Sequence, residues 1–186
     1  IITYGKNSSD VNCFHFNKII KIKIKSKSYP IKYYARTDFE LENLACSICC
    51  CLAIGLTIKK IISFISKASK PEGRMQLVNS LYNKAKVFVD YAHTPDALKN
   101  VLIGNYYNSK KPNLVFGCGG NRDKRKRKIM GQVANKYANK IYITDDNPRD
   151  ENPNDIRQAI HSHCSKALNI GDRRLAIKTA IENLNS

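Results

Sequence analysis

Leu114-Val115-Phe116-Gly117-Cys118-Gly119-Gly120, running on into Asn121-Arg122-Asp123-Lys124-Arg125-Lys126-Arg127-Lys128, decides the fold. A short apolar run bounded by glycines reads as a buried strand. The charged segment after it, to about Ala138, reads as a helix. A strand, a glycine turn and a helix in that order are the repeating unit of a parallel α/β sheet. Working outward, Lys140-Ile141-Tyr142-Ile143-Thr144 is a further strand, ended by the turn Asp146-Asn147-Pro148, with a helix from about Asp155 to Leu168. Upstream, Val87-Phe88-Val89 is an apolar strand core, and Thr94-Pro95-Asp96 starts a helix with a cap, a first-position proline and a first-turn acid. The alternation predicts an α/β fold with a parallel sheet and helices on both faces.

Further upstream the pattern changes. Ile20, Ile22 and Ile24 alternate with Lys21, Lys23 and Lys25, the signature of a half-exposed strand. Ser28-Tyr29-Pro30 breaks that run, and a second short strand is expected over Ile31 to Ala35. Leu41, Leu44, Ala45, Ile48 and Leu52 recur at helical spacing, with Gly55 as the stop. Thr57 can cap a second helix carrying Ile58, Ile61, Ile62 and Ile65. Lys70-Pro71-Glu72-Gly73 is the best boundary in the chain, because proline and glycine punctuate the change of pattern. The predicted domains are therefore 1–70 and 71–186.

The 186 residues are 42% hydrophobic and 25% charged, the composition of a globular protein rather than a disordered one. No apolar run approaches the roughly 18 residues that a membrane span needs. Ile1-Ile2-Thr3-Tyr4-Gly5 has neither an initiator Met nor a basic signal-peptide region, and reads as the interior of a longer chain. The net charge of +17 comes mostly from Lys dispersed among Ile and Asn, without the interleaved aromatics of a nucleic-acid stacking surface. It predicts non-specific attraction to polyanions and no specific nucleic-acid partner. Two competing readings are a truncated, inactive relic domain and a domain reused for nucleic-acid binding, the second of which would show strongly salt-dependent binding. Seven cysteines, four of them between Cys46 and Cys51, lack a second separated ligand pair. They read as buried free thiols in a reducing cytoplasm, not a zinc site.

Ligands in open parallel sheets bind beyond the C-terminal strand ends, and three polar segments fall there. Gly117, Gly119 and Gly120 permit close backbone approach before a helix, the setting of an anion site, although no Gly-Lys-Thr/Ser closes a phosphate loop. Arg122, Lys124, Arg125, Lys126 and Arg127 could bind carboxylate or phosphate; for Lys126 and Lys128 the alternative is a solvated helix face. In Asp146-Asn147-Pro148-Arg149, Pro148 fixes a turn and Asn147 tolerates unusual backbone geometry and can both donate and accept. Arg149 offers a rigid fork for a carboxylate, against the alternative of a plain surface loop. In the segment from Asp90 to Pro95, Asp90 can accept from a ribose hydroxyl or a backbone amide. His93 either touches a nucleotide or caps the helix start.

Taken together, Gly73-Arg74-Met75, Val89-Asp90-Tyr91-Ala92-His93-Thr94-Pro95-Asp96-Ala97-Leu98, Val115-Phe116-Gly117-Cys118-Gly119-Gly120-Asn121-Arg122-Asp123-Lys124 and Thr144-Asp145-Asp146-Asn147-Pro148-Arg149 resemble the Mur ligase family in order and spacing over about residues 39 to 160. The Asp-Asn-Pro-Arg turn resembles the branch that selects meso-2,6-diaminopimelate. The resemblance implies an ATP-dependent acid–amino-acid ligase of peptidoglycan synthesis, cytoplasmic and monomeric at full length, acting on a UDP-N-acetylmuramoyl dipeptide with Mg²⁺. It implies that residues 1–70 are the end of a central ATP-binding domain and 71–186 most of a Rossmann-like C-terminal domain. Arg122, Asp146, Asn147, Pro148 and Arg149 would hold diaminopimelate, and Asn43, Arg74, Asp90 and His93 would contact ATP. The family's phosphate loop, carbamylated Lys and Mg²⁺-binding Glu are expected upstream of Ile1. Its Lys-Gly-His-Glu segment is expected beyond Ser186, so the chain alone is expected to be inactive. Three positions depart from the family pattern: Glu40 and Asn121, where Asn and Asp are usual, and Arg125, where Gly is usual.

Overall fold

A computed structural model describes residues 1–5, 10–17, 19–35, 37–69, 71–80, 84–104 and 110–184. Lys70, the first residue of the predicted boundary, lies outside them. The chain forms two compact units, 1–70 and 71–186.

In the first unit, β1 (Val11–Phe16), β2 (Ile19–Ile24) and β3 (Lys27–Ile31) form an antiparallel meander in the order β1-β2-β3. The alternation in β2 does what the sequence implies: Ile20 and Ile22 are buried, Ile24 partly so, and Lys23 faces solvent. The tight turn lies at Lys25, whose φ is 51°, so Ser28, Tyr29 and Pro30 belong to β3 instead of breaking the run. Among the described residues β3 is an edge strand, the place in a sheet where proline is tolerated. The expected strand over 31–35 is displaced toward the N-terminus: β3 covers Lys27–Ile31 and ends at Ile31.

Helix α1 (Asp38–Ala53) packs Leu41, Leu44, Ala45, Ile48 and Cys49 into the same core as Val11, Cys13, Ile20, Ile22 and Ile31. Its start is a full capping box. The Thr37 hydroxyl accepts from the Glu40 amide at 3.3 Å, and the Glu40 carboxylate accepts from the Thr37 amide at 3.2 Å. Glu40 thus has a structural task at the position where the Mur pattern has Asn. Its stop is a Schellman motif: Leu56 N–H donates to Cys51 O and Gly55 N–H to Leu52 O, both at 3.0 Å, with Gly55 at φ 85°. Helix α2 (Ile58–Ile65) follows, burying Ile61 and Ile65. Thr37→Ala is expected to cost about 1 kcal/mol of this unit's stability, read as an earlier loss of helical circular dichroism in urea; an unchanged midpoint would contradict the cap's role.

The cysteines are free thiols. Four are buried (Cys13, Cys49, Cys118, Cys164), whereas Cys46 and Cys51 are half-buried and Cys50 is exposed on the outer face of α1. The uniform burial expected for the cluster fails because a helix turns successive residues to different faces. Burial pushes the Cys13 thiol up to about 12 and Cys118 to about 11, which keeps both protonated and inert.

The second unit opens with an antiparallel hairpin, β4 (Gln76–Ser80) and β5 (Lys86–Val89). The strand at 87–89 was expected in the parallel sheet; among the described residues it pairs with β4. Then come α3 (Pro95–Gly104), β6 (Leu114–Phe116), α4 (Arg125–Tyr137), β7 (Ile141–Ile143), α5 (Pro153–His161), β8 (Leu168–Asn169) and α6 (Arg173–Glu182). Strands β6, β7 and β8 form a parallel sheet in that order, giving the mixed α/β architecture predicted from 114–128. Ile141 and Ile143 join Leu98, Leu102, Met130, Ala134, Ile156 and Ile160 in one core. Tyr142 faces the other way, where its hydroxyl accepts from Asn183 just after α6 at 3.0 Å. Alternation along β7 thus separates the two helical layers.

The helix expected to reach Leu168 stops at His161. Ile156, Ile160 and Cys164 keep helical spacing and are all buried, but the chain turns after Ser162 to enter β8. Helix α6 has a cap in Asp172, whose carboxylate accepts from the Leu175 amide at 2.8 Å.

Candidate functional site

Strands β6 and β7 run parallel, so the loops at their C-terminal ends, 117–124 and 144–152, emerge side by side. They are tied backbone to backbone: Gly120 N–H donates to Asn147 O at 2.8 Å and Thr144 N–H to Phe116 O at 3.0 Å. The glycines are needed for this approach. A Cβ on Gly120 would lie 1.8 Å from Pro148 O, and one on Gly117 would lie 2.3 Å from Thr144 O. The close approach foreseen for these glycines is made at Gly117 and Gly120 to the neighbouring loop. The start of α4 is likewise engaged internally, since the Asp123 carboxylate accepts from the Arg125 amide at 2.9 Å.

Arg149 has a φ of 50°, as does Asn121, so the left-handed residue in the Asp-Asn-Pro-Arg turn is Arg149 and not Asn147 as expected. Its guanidinium reaches back across the gap and donates from Nη1 to Gly120 O at 2.7 Å, with Asn147 O at 3.5 Å. One end of the fork is anchored on backbone, and the residue is exposed. Asp146, Asn147 and Arg122 are exposed on the same loops, and Pro148 is half-buried where its carbonyl meets Gly120.

Arg127, grouped by sequence with the anion-binding candidates, is instead a buried structural cation, 4% exposed. Its fork grips Glu151 with Nη1 at 2.9 Å and Nη2 at 2.8 Å. Glu151 also accepts from the Asn121 amide at 2.6 Å, and Lys124 Nζ lies 3.5 Å away. The Asn121 side chain donates to Asp150 at 2.7 Å. No pattern in sequence joined Arg127 to Glu151; only the parallel pairing of β6 and β7 does. Nearby, Arg157 is paired with Asp145 and donates to Asn169 at 2.8 Å, steadying the root of the second loop.

Arg127 and the Asn121 amide hold the Glu151 carboxyl at about 2, well below its ordinary 4.5. The folded chain therefore binds fewer protons than the unfolded one between those values. The stabilisation from this cluster is complete above about pH 4.5 and lost as pH falls toward 2. Glu151→Gln is expected to flatten that part of the acid limb, measured as urea midpoints at pH 6, 4 and 3. Parallel limbs for both proteins would contradict the assignment.

The third segment is built around Asp90. Its two oxygens accept from the Met75 amide at 2.9 Å and the Ala92 amide at 2.8 Å, so of the two roles open to it, the described contacts are with backbone. Thr94, not His93, caps α3, accepting from the Ala97 amide at 3.3 Å. His93 packs edge-on against Tyr91 with ring centroids 5.0 Å apart, and the Arg74 guanidinium lies 5.1 Å from the Tyr91 ring. Lys126 donates to the His93 carbonyl at 3.1 Å, linking this segment to α4. Asn43 lies in the first unit, exposed on α1, its carbonyl accepting from Ser47 at 2.9 Å. Among the described residues no three His, Cys, Asp or Glu side chains could hold a metal, and no helix is long and apolar enough to cross a membrane.

The sequence model of the family described as "Mur ligase, glutamate ligase domain" matches residues 73–186, which contain all three segments. This chain belongs to the Mur ligase family. Among curated relatives, this Mur ligase chain is 38% identical over 189 residues to the UDP-N-acetylmuramoyl-L-alanyl-D-glutamate–2,6-diaminopimelate ligase of Anaplasma marginale (strain St. Maries), covering 97% of the chain and 39% of the relative. It is 36% identical to the protein of the same name from Rhizobium meliloti (strain 1021), covering 99% and 39%. A solved structure of a ligase of that name is 31% identical, with a TM-score of 0.55 over 96% of this chain and 39% of that one. The folylpolyglutamate synthase of Mycobacterium tuberculosis, complexed with ADP and AMPPCP, shares the fold at 15% identity, with a TM-score of 0.71 over 90% of this chain and 38% of that one. The Mur ligase chain thus spans about two fifths of the length of the curated relatives it matches.

Proposed function

We propose that this chain is part of an ATP-dependent amide ligase that adds meso-2,6-diaminopimelate to UDP-N-acetylmuramoyl-L-alanyl-D-glutamate in peptidoglycan synthesis. On this reading residues 71–186 supply the surface that receives the amino acid, and residues 1–70 are the end of the ATP-binding domain. The observation that carries it is Arg149, a guanidinium with one nitrogen fixed on Gly120 O at a strand's C-terminal end, beside exposed Arg122, Asp146 and Asn147. Diaminopimelate carries two amino-acid head groups, one more carboxylate than lysine. A fixed fork distinguishes it by charge-assisted hydrogen bonds, while Asp146 and Asn147 suit an ammonium.

ATP, when bound, supplies the phosphoryl group that converts the substrate carboxylate to an acyl phosphate. The exposed Arg74 guanidinium and the Tyr91 and His93 rings offer a cation and aromatic faces suited to a nucleotide, with Asp90 holding their two loops together. The residues of this chain orient an amine for attack, a contribution of proximity rather than of proton transfer.

The test is titration of meso-diaminopimelate and of lysine into the ¹⁵N-labelled chain, followed by amide NMR. Shifts concentrated in 120–122 and 145–151, with tighter binding of diaminopimelate, are expected; equal or absent response to both would sink the proposal. The chain alone is expected to form no tripeptide product with ATP and the UDP-linked dipeptide.

A further inference from the structure

We propose that Glu151 is a positioning residue for diaminopimelate selection, acting through Arg149; this rests on the function proposed above. Each Glu151 oxygen is already occupied. Oε1 takes the Asn121 amide and Arg127 Nη2, while Oε2 takes Arg127 Nη1 and lies 3.5 Å from Lys124 Nζ. A carboxylate has about four acceptor directions; three take these hydrogen bonds and Lys124 stands by as an ion-pair partner, so Glu151 is turned to the protein. Its partners Asn121, Lys124 and Arg127 all lie on the other loop and on α4, in the stretch that directly follows Gly120.

Gly120 is where the two loops exchange control. Its N–H is held by Asn147 O at 2.8 Å, and its carbonyl is the acceptor that fixes Arg149 Nη1 at 2.7 Å. The next residue, Asn121, is held at φ 50° with its amide on Glu151 and its side chain on Asp150. A left-handed conformation in a residue other than glycine is disfavoured and persists only where its surroundings fix it. Both Asn121 and Arg149 adopt it here. Glu151→Gln leaves one acceptor oxygen in place of two and sets an NH₂ against a donor, so the Asn121 amide and both arms of the buried Arg127 fork can no longer all be satisfied. The segment 119–121 then relaxes, and the carbonyl that aims Arg149 moves with it. The Arg149 guanidinium keeps its charge but loses its direction.

A purely structural role would weaken the binding of every ligand alike, or unfold the unit. A positioning role acts on the contact that separates diaminopimelate from lysine. The experiment is the same NMR titration of the full chain with Glu151→Gln, each ligand measured separately. Diaminopimelate affinity is expected to fall at least ten-fold while lysine affinity changes less than two-fold, with amide shifts outside the two loops preserved. A parallel fall for both ligands, or no change for either, overturns the proposal. If Glu151→Gln does not fold, Arg127→Lys carries the test: it keeps the cation but removes the fork, and the same loss of preference is expected. A wild-type chain that shows no preference for diaminopimelate would instead overturn the function itself, before any variant is measured.

Discussion

Gly120→Ala lowers the stability of residues 71–186 by about 3 kcal/mol, an expected fall in melting temperature on the order of 10 °C. Two effects oppose each other. Alanine restricts the unfolded chain and ordinarily stabilises by about 0.4–1 kcal/mol where the native φ suits it, and Gly120 does not have a left-handed φ that would forbid it. Against this, the new methyl would sit 1.8 Å from Pro148 O and 2.6 Å from Pro148 C. Those are backbone atoms of a loop tied down on both sides, so no rotamer change relieves the clash and the loops must part. Gly119→Ala is the informative contrast: its closest neighbour is Arg149 Nη1 at 2.9 Å, the end of a flexible side chain. It is expected to melt within a few degrees of wild type, roughly what a change under 1 kcal/mol produces, while displacing the guanidinium. Differential scanning calorimetry of the two variants decides the matter; equal melting temperatures would mean that the loops are not held as described.

The contrast also shows what the sequence could and could not reveal. Local rules were legible wherever one segment decides its own conformation: the alternation in β2, the Thr94-Pro95 helix start, the strand-glycine-helix unit at 114–128. They failed where a distant partner decides. Pro30 looks like a break until β2 makes β3 an edge strand, and Ile156, Ile160 and Cys164 look like one helix although the sheet needs β8. Helix α6 went unread although Asp172 caps it. At the candidate site, the loops after β6 and β7 could be placed because they follow strands of one parallel sheet, whereas the 90–95 loop follows β5 of the antiparallel hairpin. The division of labour among their charges could not. Arg122 and Arg127 are both basic residues of one short segment, yet one is exposed at the loop and the other is buried on Glu151. Only the register Leu114↔Ile141 through Phe116↔Ile143 sets that difference, by bringing 151 beside 127.

Arg149→Lys separates recognition from stability most sharply. The side chain is exposed, lysine keeps the charge, and the left-handed backbone at φ 50° is no harder for lysine than for arginine. Melting temperature should therefore stay close to wild type. Binding should not. Arginine can hold Gly120 O with Nη1 and still present the rest of its fork in a fixed plane, whereas an ammonium on a flexible stem that holds the carbonyl has no second directed arm. A charge-assisted hydrogen bond contributes about 1.5–3 kcal/mol, and each 1.4 kcal/mol is about ten-fold in affinity. The preference for meso-diaminopimelate over lysine is thus expected to shrink by about ten- to a hundred-fold, measured as the ratio of the two dissociation constants. The direction should match that of Glu151→Gln with a larger size, because removing the fork removes what Glu151 positions. An unaltered ratio in a folded variant would place the selecting charge elsewhere, and Arg122, exposed on the neighbouring loop, is the guanidinium that would then have to carry it.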